Sequence, residues 1–310
     1  YGCSEMFVNG FLKLIEAGII RREVFGDAVL QQLINDGSIA DETVTPQTLQ
    51  ALLAARRIGS PLNEADLAFL QRFGILRAGV SRLGGELVLG DARCVNDLED
   101  PRNFDALCAM ALGTRLAGGI FMTGGFFLGP RDFYERLRTM PPQELAKIDM
   151  TRIDFINQLY GNDDLKRAQR RKARFMNTTM VVTLLGAAAS DALESGQVVS
   201  GVGGQYNFVA MSHALPDARL IMMLRATHDN KDGLRSSIVW NYGHVTIPRH
   251  LRDVVVTEYG IAELRGQSDS EVVKRLIAIA DSRFQDELVK AAKAHGKLEA
   301  GYELPERYRQ

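Results

Sequence analysis

The chain has 310 residues, 46% of them hydrophobic, which is enough to bury a sizeable core in one large or two modest domains. Lysine and arginine together number 37 and aspartate and glutamate 38, so the formal net charge is −1. This near-neutral balance argues against nucleic acid or an anionic membrane as a partner and favours a small molecule or another subunit.

The first part of the chain shows apolar residues at helical spacing. Residues 4–18 are predicted to form an amphipathic helix ending at Gly18, with Ser4 as its cap and Glu5 in its first turn. Because the predicted helix begins almost at the first residue, the sequence starts within a folded domain. We therefore expect it to be a fragment or a processed piece. Further predicted helices cover residues 27–36, 46–57, 63–73, 103–117 and 130–138, with a short strand at 87–89.

The cysteines and histidines argue against a disulfide framework and against a metal site. Cys3, Cys94 and Cys108 are far apart with no C-x-x-C pair, and the five histidines lack ligand spacing such as H-E-x-x-H. The apolar stretch 104–129 contains Arg115 and several glycines, so it is a poor membrane span. We expect no metal and a reducing compartment, which is the cytoplasm or, in a eukaryote, the mitochondrial matrix.

The charged run NDDLKRAQRRKAR at 162–174 has helical propensity, and its cations are expected on a solvated face rather than in a phosphate site. After it the chain changes to short β-rich runs, at 180–185, 197–201, 218–226, 236–241 and 253–260, followed by helices at 268–279 and 283–295. Nearly continuous apolar strands predict a sheet buried on both faces, as in α/β proteins. The segment 36–118 is mostly helical and has the character of an insertion.

Three stretches contain residue types that could take part in catalysis or ligand binding. Glu5 is followed by M-F-x-N-G, SGVGGQYNF spans 200–208, and VVVTEYGIAELRG spans 254–266, where a strand is expected to lead through a Gly turn into a helix. The SGVGG backbone amides suit a phosphate or an oxyanion, although such a loop between a strand and a helix is more often structural. It matches neither the dinucleotide G-x-G-x-x-G spacing nor a P-loop, which argues against a nucleotide-phosphate enzyme.

Taken in order, these motifs resemble the C-terminal part of the acetyl-CoA hydrolase/transferase family. GCSEMFVNGFLKLIEAGII resembles the family's Ser/Thr-Glu-Met stretch, and SGVGGQYNF resembles its S-G-x-G-G-x-x-D-F. Phe175-Met176-Asn177 and Lys231-Asp232-Gly233 with the following S-x-I-V have counterparts too. VVVTEYGIAELRGQS is similar to V-T-E-Y-G-x-A-x-L-R-G-x-S almost residue for residue.

The resemblance implies a CoA-transferase-like (NagB/RpiA-like) fold, an open, mostly parallel sheet flanked by helices. It divides the chain into residues 1–35 with the nucleophile, a mainly helical insertion at 36–118, and the rest of the α/β domain at 119–310. It also implies that an N-terminal half with a CoA-binding loop lies upstream of this chain, and that the protein is a homo-oligomer.

By position, Glu5 is the family's nucleophile, which attacks an acyl-CoA thioester and then forms a glutamyl-CoA thioester. A carboxylate is ionised at neutral pH and needs no general base. The resemblance places Asn177 and the N–H groups of Gly203 and Gly204 as oxyanion donors, and Gly201, Gly203, Gly204 and Lys231 in contact with coenzyme A.

Plainer roles compete with these. Glu5 can balance a helix dipole, Asn177 can bond its own turn, and Lys231 can be a solvated loop residue. Glu258 and Tyr259 are expected to form a structural turn closing on Gly260, with Arg265 pairing a carboxylate. With no histidine near it in sequence, Cys3 is a poor thiol nucleophile.

The leading functional hypothesis is an acyl-CoA:carboxylate CoA-transferase that takes acyl-CoA and a small carboxylate. An acyl-CoA hydrolase using the same glutamate is the closest alternative. Asn207 stands where the family has Asp, Trp240 where it has Pro, and an acidic residue after the aligned Asn is replaced within VVTLL. These departures keep open a CoA-binding regulator without turnover, and the fold itself is shared with sugar-phosphate isomerases and translation factors.

Overall fold

A computed structural model of the protein describes residues 1–40, 42–231 and 233–309. The chain forms two units, Tyr1–Arg170 and Arg171–Gln310. Both combine helices with strands paired in parallel, so the α/β class predicted from the sequence is confirmed. The three-part division at residues 35 and 118, with its insertion, stays a prediction.

The first unit contains six strands and nine helices among its described residues. In chain order they are β1 (Gly2–Phe7), α1 (Asn9–Glu16), α2 (Ala28–Asp36), α3 (Pro46–Ala54), α4 (Glu64–Arg72), β2 (Ser81–Leu83), β3 (Glu86–Leu89), β4 (Ala92–Val95), α5 (Pro101–Ala111), β5 (Met122–Phe127), α6 (Arg131–Thr139), α7 (Pro142–Leu145), β6 (Ile148–Met150), α8 (Ile153–Asn157) and α9 (Asp163–Gln169).

A parallel three-stranded sheet, ordered β1-β5-β6, forms one part of this unit. Its register sets Ser4 beside Gly124 and Met6 beside Phe126. Phe7, fully buried, packs against the rings of Phe127 and Phe133. Parallel strands need a long crossover, and here the chain between β1 and β5 supplies it with the helices α1 to α5.

The crossover builds a second core of its own from apolar residues between Phe25 and Leu116. Local signals explain its helices. The Asp27 carboxylate accepts from Leu30 N at the start of α2, and Asn63 and Asp66 form a capping box on α4. Between α4 and α5, the antiparallel meander β2-β3-β4 shows that residues 36–118 are helical only in part.

The second unit is built around a four-stranded sheet ordered β15-β14-β10-β7, parallel except for the β14-β15 hairpin. Its elements are β7 (Arg174–Thr178), β8 (Val181–Thr183), β9 (Ala188–Ala189), α10 (Gln205–Ala214), β10 (Arg219–Met223), β11 (Thr227–Asn230), β12 (Gly233–Ser236), β13 (Ile238–Val239), a 3₁₀ turn (Arg249–Leu251), β14 (Val254–Thr257), β15 (Gly260–Glu263), α11 (Asp269–Ala278), α12 (Ser282–Ala294) and a second 3₁₀ turn (Glu306–Tyr308).

Several predicted elements were wrong in kind or extent. The helix expected over 4–18 begins only at Asn9, and Val8 rather than Ser4 precedes it, because residues 2–7 pair with β5 as a strand. Residues 197–201 form no strand. They make one bridge, between Ala192 and Val198, and Val198 is 71% exposed, so no neighbouring strand covers this apolar run.

Other boundaries differ because the chain turns earlier than its pattern indicates. The helix predicted over 103–117 ends at Ala111, where Leu112 adopts an extended backbone. The helix predicted over 162–174 ends at Gln169, and the last residue of that range, Arg174, begins β7. The helix expected after Gly260 is the antiparallel strand β15, paired with β14.

Candidate functional site

Glu5 lies in β1, and its half-buried carboxylate contacts an asparagine that sequence reasoning missed. The Asn157 side chain, 8% exposed, donates from Nδ2 to Glu5 Oε1. Glu5 Oε2 accepts no hydrogen bond from the residues that the structure describes. One oxygen is therefore held while the other is free to react.

A glycine in β5 leaves the space that allows α8 to bring Asn157 into contact with Glu5. A Cβ built on Gly125 would lie 2.2 Å from Ile153 Cδ1 and 2.9 Å from the Glu5 carbonyl oxygen. Only a residue without a side chain fits between β1 and α8. Glycine inside a strand often marks such a close approach, so the Gly124-Gly125 pair is the one sequence signal for this contact.

Cys3, two residues before Glu5, is poorly suited to be a nucleophile. Burial raises the pKa of the Cys3 thiol, and only the thiolate is an effective nucleophile. Nearby, the Tyr1 hydroxyl donates to Thr123 Oγ1 at 2.8 Å. The buried Cys3 thiol is therefore a weaker candidate nucleophile than the Glu5 carboxylate.

The charged run after α8 was expected to face solvent, which is wrong for two of its cations. Lys166 and Arg170 are only 1% and 5% exposed. They face α8, and Arg170 Nη2 donates to the Phe155 carbonyl at 2.6 Å. The periodicity of charges on a helix does not reveal that a neighbouring helix covers one side.

In the second unit, Asn177 lies in β7 with an unpaired donor. Its Nδ2 is buried and makes no hydrogen bond with the described part of the chain. An unsatisfied buried donor costs free energy, which is recovered when a ligand oxygen accepts from it. Asn177 Nδ2 is therefore available to a ligand oxygen, and it makes no turn-capping bond within the described structure.

The Gly-rich loop leads into the N-terminus of α10 beside the end of β7. Gly203 has a φ of +57° with open space around it, and Gly204 is the residue that precedes α10. The next residue, Gln205, donates from Nε2 to the Thr178 carbonyl at 2.7 Å. Asn177 and the Gly203–Gly204 loop are thus brought to the same end of β7, whereas Gly201 is simply exposed.

Lys231 is exposed at the tip of the β11-β12 hairpin, and Asp232 of the same motif lies outside the described residues. Glu258 and Tyr259 have structural bonds: the Glu258 carboxylate accepts from Ala226 N at 2.9 Å, and the Tyr259 hydroxyl donates to Asp281 at 2.8 Å. Arg265 pairs with Asp253 at 2.8 Å, as expected.

A cleft of about 780 Å³ opens at the carboxyl ends of the parallel strands in the second unit. Thr179, Arg225 and Glu258, which follow the ends of β7, β10 and β14, line it. In α/β sheets, ligands bind at this edge. The described residues contain no group of three or more His, Cys, Asp or Glu side chains that could hold a metal ion, and no helix whose length and apolar content would let it span a membrane.

Comparison with known proteins identifies a family. The model of the acetyl-CoA hydrolase/transferase C-terminal domain matches residues 129–292, a little over half of the chain. The match includes Asn157, Asn177 and the Gly-rich loop, and Glu5 lies before it.

Individual relatives have related names. A probable butyrate:acetyl-CoA coenzyme A-transferase of Syntrophomonas wolfei is 31% identical over 170 residues, covering 54% of this chain and 36% of the relative. The 4-hydroxybutyrate coenzyme A transferase of Clostridium kluyveri is 27% identical over 165 residues, covering 53% and 36%. An acetyl-CoA hydrolase of Saccharomyces cerevisiae is 32% identical over 106 residues, covering 33% and 19%.

Among solved structures, RipA from Yersinia pestis is 28% identical with a TM-score of 0.45, covering 57% of this chain and 36% of that chain. The 4-hydroxybutyrate CoA-transferase from Porphyromonas gingivalis is 23% identical with a TM-score of 0.42, covering 56% and 37%. The chain thus spans between a third and two fifths of the length of the CoA-transferases it matches.

Proposed function

This chain belongs to the acetyl-CoA hydrolase/transferase family, as its motifs predicted, and we propose that Glu5 is the nucleophile of an acyl-CoA:carboxylate CoA-transferase. The observation that carries the proposal is the bond from Asn157 to Glu5 Oε1. It fixes a half-buried carboxylate in one orientation, with its second oxygen unbonded in the described structure.

The proposed reaction transfers CoA in balanced steps. Glu5 Oε2 attacks the thioester carbonyl carbon, the C–S bond breaks, and a mixed anhydride and the CoA thiolate form. The thiolate attacks the glutamyl carbonyl carbon, which releases the first carboxylate and leaves a glutamyl-CoA thioester. A second carboxylate then attacks this thioester, and the same steps in reverse produce the new acyl-CoA and free Glu5.

Asn157 has a specific part in these steps. While Glu5 is a carboxylate, the amide donor orients it. When Glu5 is a thioester and is attacked, negative charge develops on the glutamyl oxygen, and the same donor stabilises it. A single oxyanion donor of this kind typically contributes about 3–4 kcal/mol to the transition state.

From the family resemblance, Asn177, Gly203, Gly204 and Lys231 are proposed to contact coenzyme A. Support comes from the unpaired Asn177 Nδ2, from Gly203, and from Gly204 at the start of a ten-residue helix, whose first N–H groups attract negative charge. Lys231 is exposed at a hairpin tip, where its ammonium group is accessible to a ligand. No metal takes part in this scheme.

An acyl-CoA hydrolase remains the second candidate, because one of the relatives bears that name. It would use the same glutamate, with water resolving the intermediate. The finer predictions stay proposals as well: a NagB/RpiA-like fold, a further N-terminal half of the same protein that completes the site, and a homo-oligomer. A regulator without turnover is disfavoured by the geometry of Glu5 and Asn157.

The test uses the full-length protein that carries this chain. It is incubated with acetyl-CoA, the acyl-enzyme is trapped with hydroxylamine or borohydride, and the modified peptide is mapped by mass spectrometry. We expect the label on Glu5. Turnover with an unlabelled Glu5 peptide would overturn the assignment.

Two variants and one acceptor series complete the experiment. Glu5→Ala should abolish turnover while CoA still binds, whereas Glu135→Ala, which removes an exposed glutamate of α6, should retain it. A transferase is indicated if added carboxylates accelerate loss of acyl-CoA and appear as new acyl-CoA. A hydrolase is indicated if the rate is unaffected by them.

A further inference from the structure

Lys166 is a buried cation in a segment whose charges were expected to be solvated. It lies in α9 and is 1% exposed, one of the largest fully buried side chains of the described structure. Burying an ammonium group costs several kcal/mol, as an order of magnitude, unless its protons are bonded. The burial of the Lys166 ammonium group therefore requires an explanation.

The contacts of the Lys166 ammonium are with residues on either side of Asn157 in the chain. Nζ donates to the Gln158 carbonyl at 2.8 Å and to the Tyr160 carbonyl at 2.9 Å. It also lies 5.0 Å from the centroid of the Phe155 ring, within cation–π distance. Its partners therefore flank Asn157 on both sides in sequence.

No carboxylate lies within ion-pair distance of Lys166 in the described part of the chain. Asp154 and Asp163 act on it only from further away, and burial is the main influence, which lowers the pKa of Lys166. The Lys166 ammonium therefore forms charge-assisted hydrogen bonds with backbone carbonyls. Such bonds are stronger than hydrogen bonds between two neutral groups. A lysine kept for an ordinary ion pair would not show this pattern.

The helix that carries Lys166 is itself anchored. The Asn35 side chain, in α2, donates to the Ala168 carbonyl at 2.9 Å, and Gln169 Nε2 donates to the Phe25 carbonyl at 2.9 Å. Both bonds tie α9 to the crossover core of the first unit. Lys166 therefore joins a fixed support to the short segment that presents Asn157.

We propose that Lys166 is a positioning residue for the reaction: its ammonium holds residues 158–160 and thereby sets Asn157 against the Glu5 carboxylate. The inference rests on the proposed role of Glu5. Helix α8 has only five residues and cannot hold its end by its own backbone bonds. Displacement of a reacting group by about 1 Å can cost roughly 100-fold in rate.

The principal variant is Lys166→Met in the full-length protein, since methionine fills the same space without charge. We expect kcat to fall about 10- to 100-fold with little change in KM for acyl-CoA. The hydrogen bonds lost to the Gln158 and Tyr160 carbonyls and the desolvation cost removed with the ammonium oppose each other, so thermal stability should change little. A residue with a merely structural role would instead lower stability and leave the rate per folded molecule unchanged.

A double-mutant cycle tests the route through Asn157. Lys166→Met should lower kcat in the wild-type background and have little further effect in Asn157→Ala. An equal loss in both backgrounds would overturn the proposal. Lys172→Met, which removes an exposed lysine of the same run, is the matched control and should leave kcat unchanged.

Hydrogen exchange separates this inference from the proposed function. In Lys166→Met, amides of residues 153–160 should exchange at least tenfold faster, a measurement that needs no turnover. Unchanged exchange there would overturn the role of Lys166 even in an active enzyme. If the wild type formed no Glu5 adduct, the proposed function would fail, and exchange would still decide whether Lys166 holds this segment. Should the methionine variant fold poorly, Lys166→Gln keeps a neutral amide with two N–H donors and should show an intermediate loss.

Discussion

Asn157 donates a hydrogen bond to Glu5 from a helix that lies 152 positions further along the chain. A carboxylate exposed on the end of a strand would rotate between conformers and be fully hydrated. The bond removes this freedom on one oxygen, and burial of Asn157 keeps the donor in place. Preorganised donors of this kind act in the transition state without a further cost of reorganisation.

Removal of the donor should slow the chemical step more than it weakens substrate binding. For Asn157→Ala we expect kcat to fall about 100-fold or more, the loss typical of one oxyanion donor. Asn157→Asp should be at least as severe, because it sets a second carboxylate against Glu5. Single-turnover kinetics with acyl-CoA measures the step, and a rate within about twofold of the wild type would contradict the assignment.

The absence of a side chain at Gly125 should be essential for both stability and activity. In Gly125→Ala, the new Cβ would lie 2.9 Å from the Glu5 carbonyl oxygen, a backbone atom, and 2.2 Å from Ile153 Cδ1, so the packing of β1 and α8 around it must shift. Overpacking of this kind costs roughly 1–3 kcal/mol in the free energy of unfolding, which urea titration measures. Gly85→Ala is the control, because a Cβ there meets no atom within 4 Å. Equal effects of the two substitutions would show that α8 tolerates the shift.

Asn177 should matter for ligand binding and hardly at all for stability. Its Nδ2 has no partner to lose, so Asn177→Ala should change the free energy of unfolding by less than about 0.5 kcal/mol while turnover falls. The buried Asn96 is the contrast. It donates to the Leu62 carbonyl and accepts from Leu62 N, both at 2.8 Å, so Asn96→Ala should cost about 1–3 kcal/mol. A large stability loss at Asn177 would indicate a structural role instead.

Acid should weaken the second unit through Asp281. Bonds from the Arg283 guanidinium, with help from Tyr259, hold the pKa of this carboxyl well below its usual range. A group with a lowered pKa in the folded state stabilises the fold above its unfolded value of about 3.9 and loses this contribution as pH falls further. Asp281→Asn should therefore destabilise the protein most at pH 7 and progressively less as the pH falls below about 3.9, as urea unfolding at pH 7 and near pH 3 would show. The same difference at both pH values would contradict this account.

The bond from Tyr259 to Asp281 gives a spectroscopic check on the same pair. The neighbouring carboxylate raises the pKa of the Tyr259 phenol above its usual 10. In an ultraviolet titration, Tyr259 of the wild type should therefore ionise at a higher pH than Tyr259 of Asp281→Asn. Identical titration curves would contradict the bond.

Local signals predicted much of the fold. The helical spacing over residues 27–36, 63–73, 268–279 and 283–295 gave boundaries within a few residues of the observed ones. The predictions failed where pairing with a distant segment decided the outcome. Residues 4–7 have helical spacing, yet they form a strand because β5 offers backbone partners. Val198 and Val199 have strand propensity but no neighbouring strand, so they remain a loop.

By itself, the sequence determined the α/β class, the family and the glutamate proposed as nucleophile, because motifs record residue identity and local periodicity. The tertiary structure alone decided that Glu5 lies on a strand, that Asn157 contacts it, and that Lys166 is buried behind the segment carrying Asn157. These relationships join residues far apart in the chain. They arise only when parallel strand pairing and packing bring the segments together, and nothing in the local sequence of either partner specifies the other.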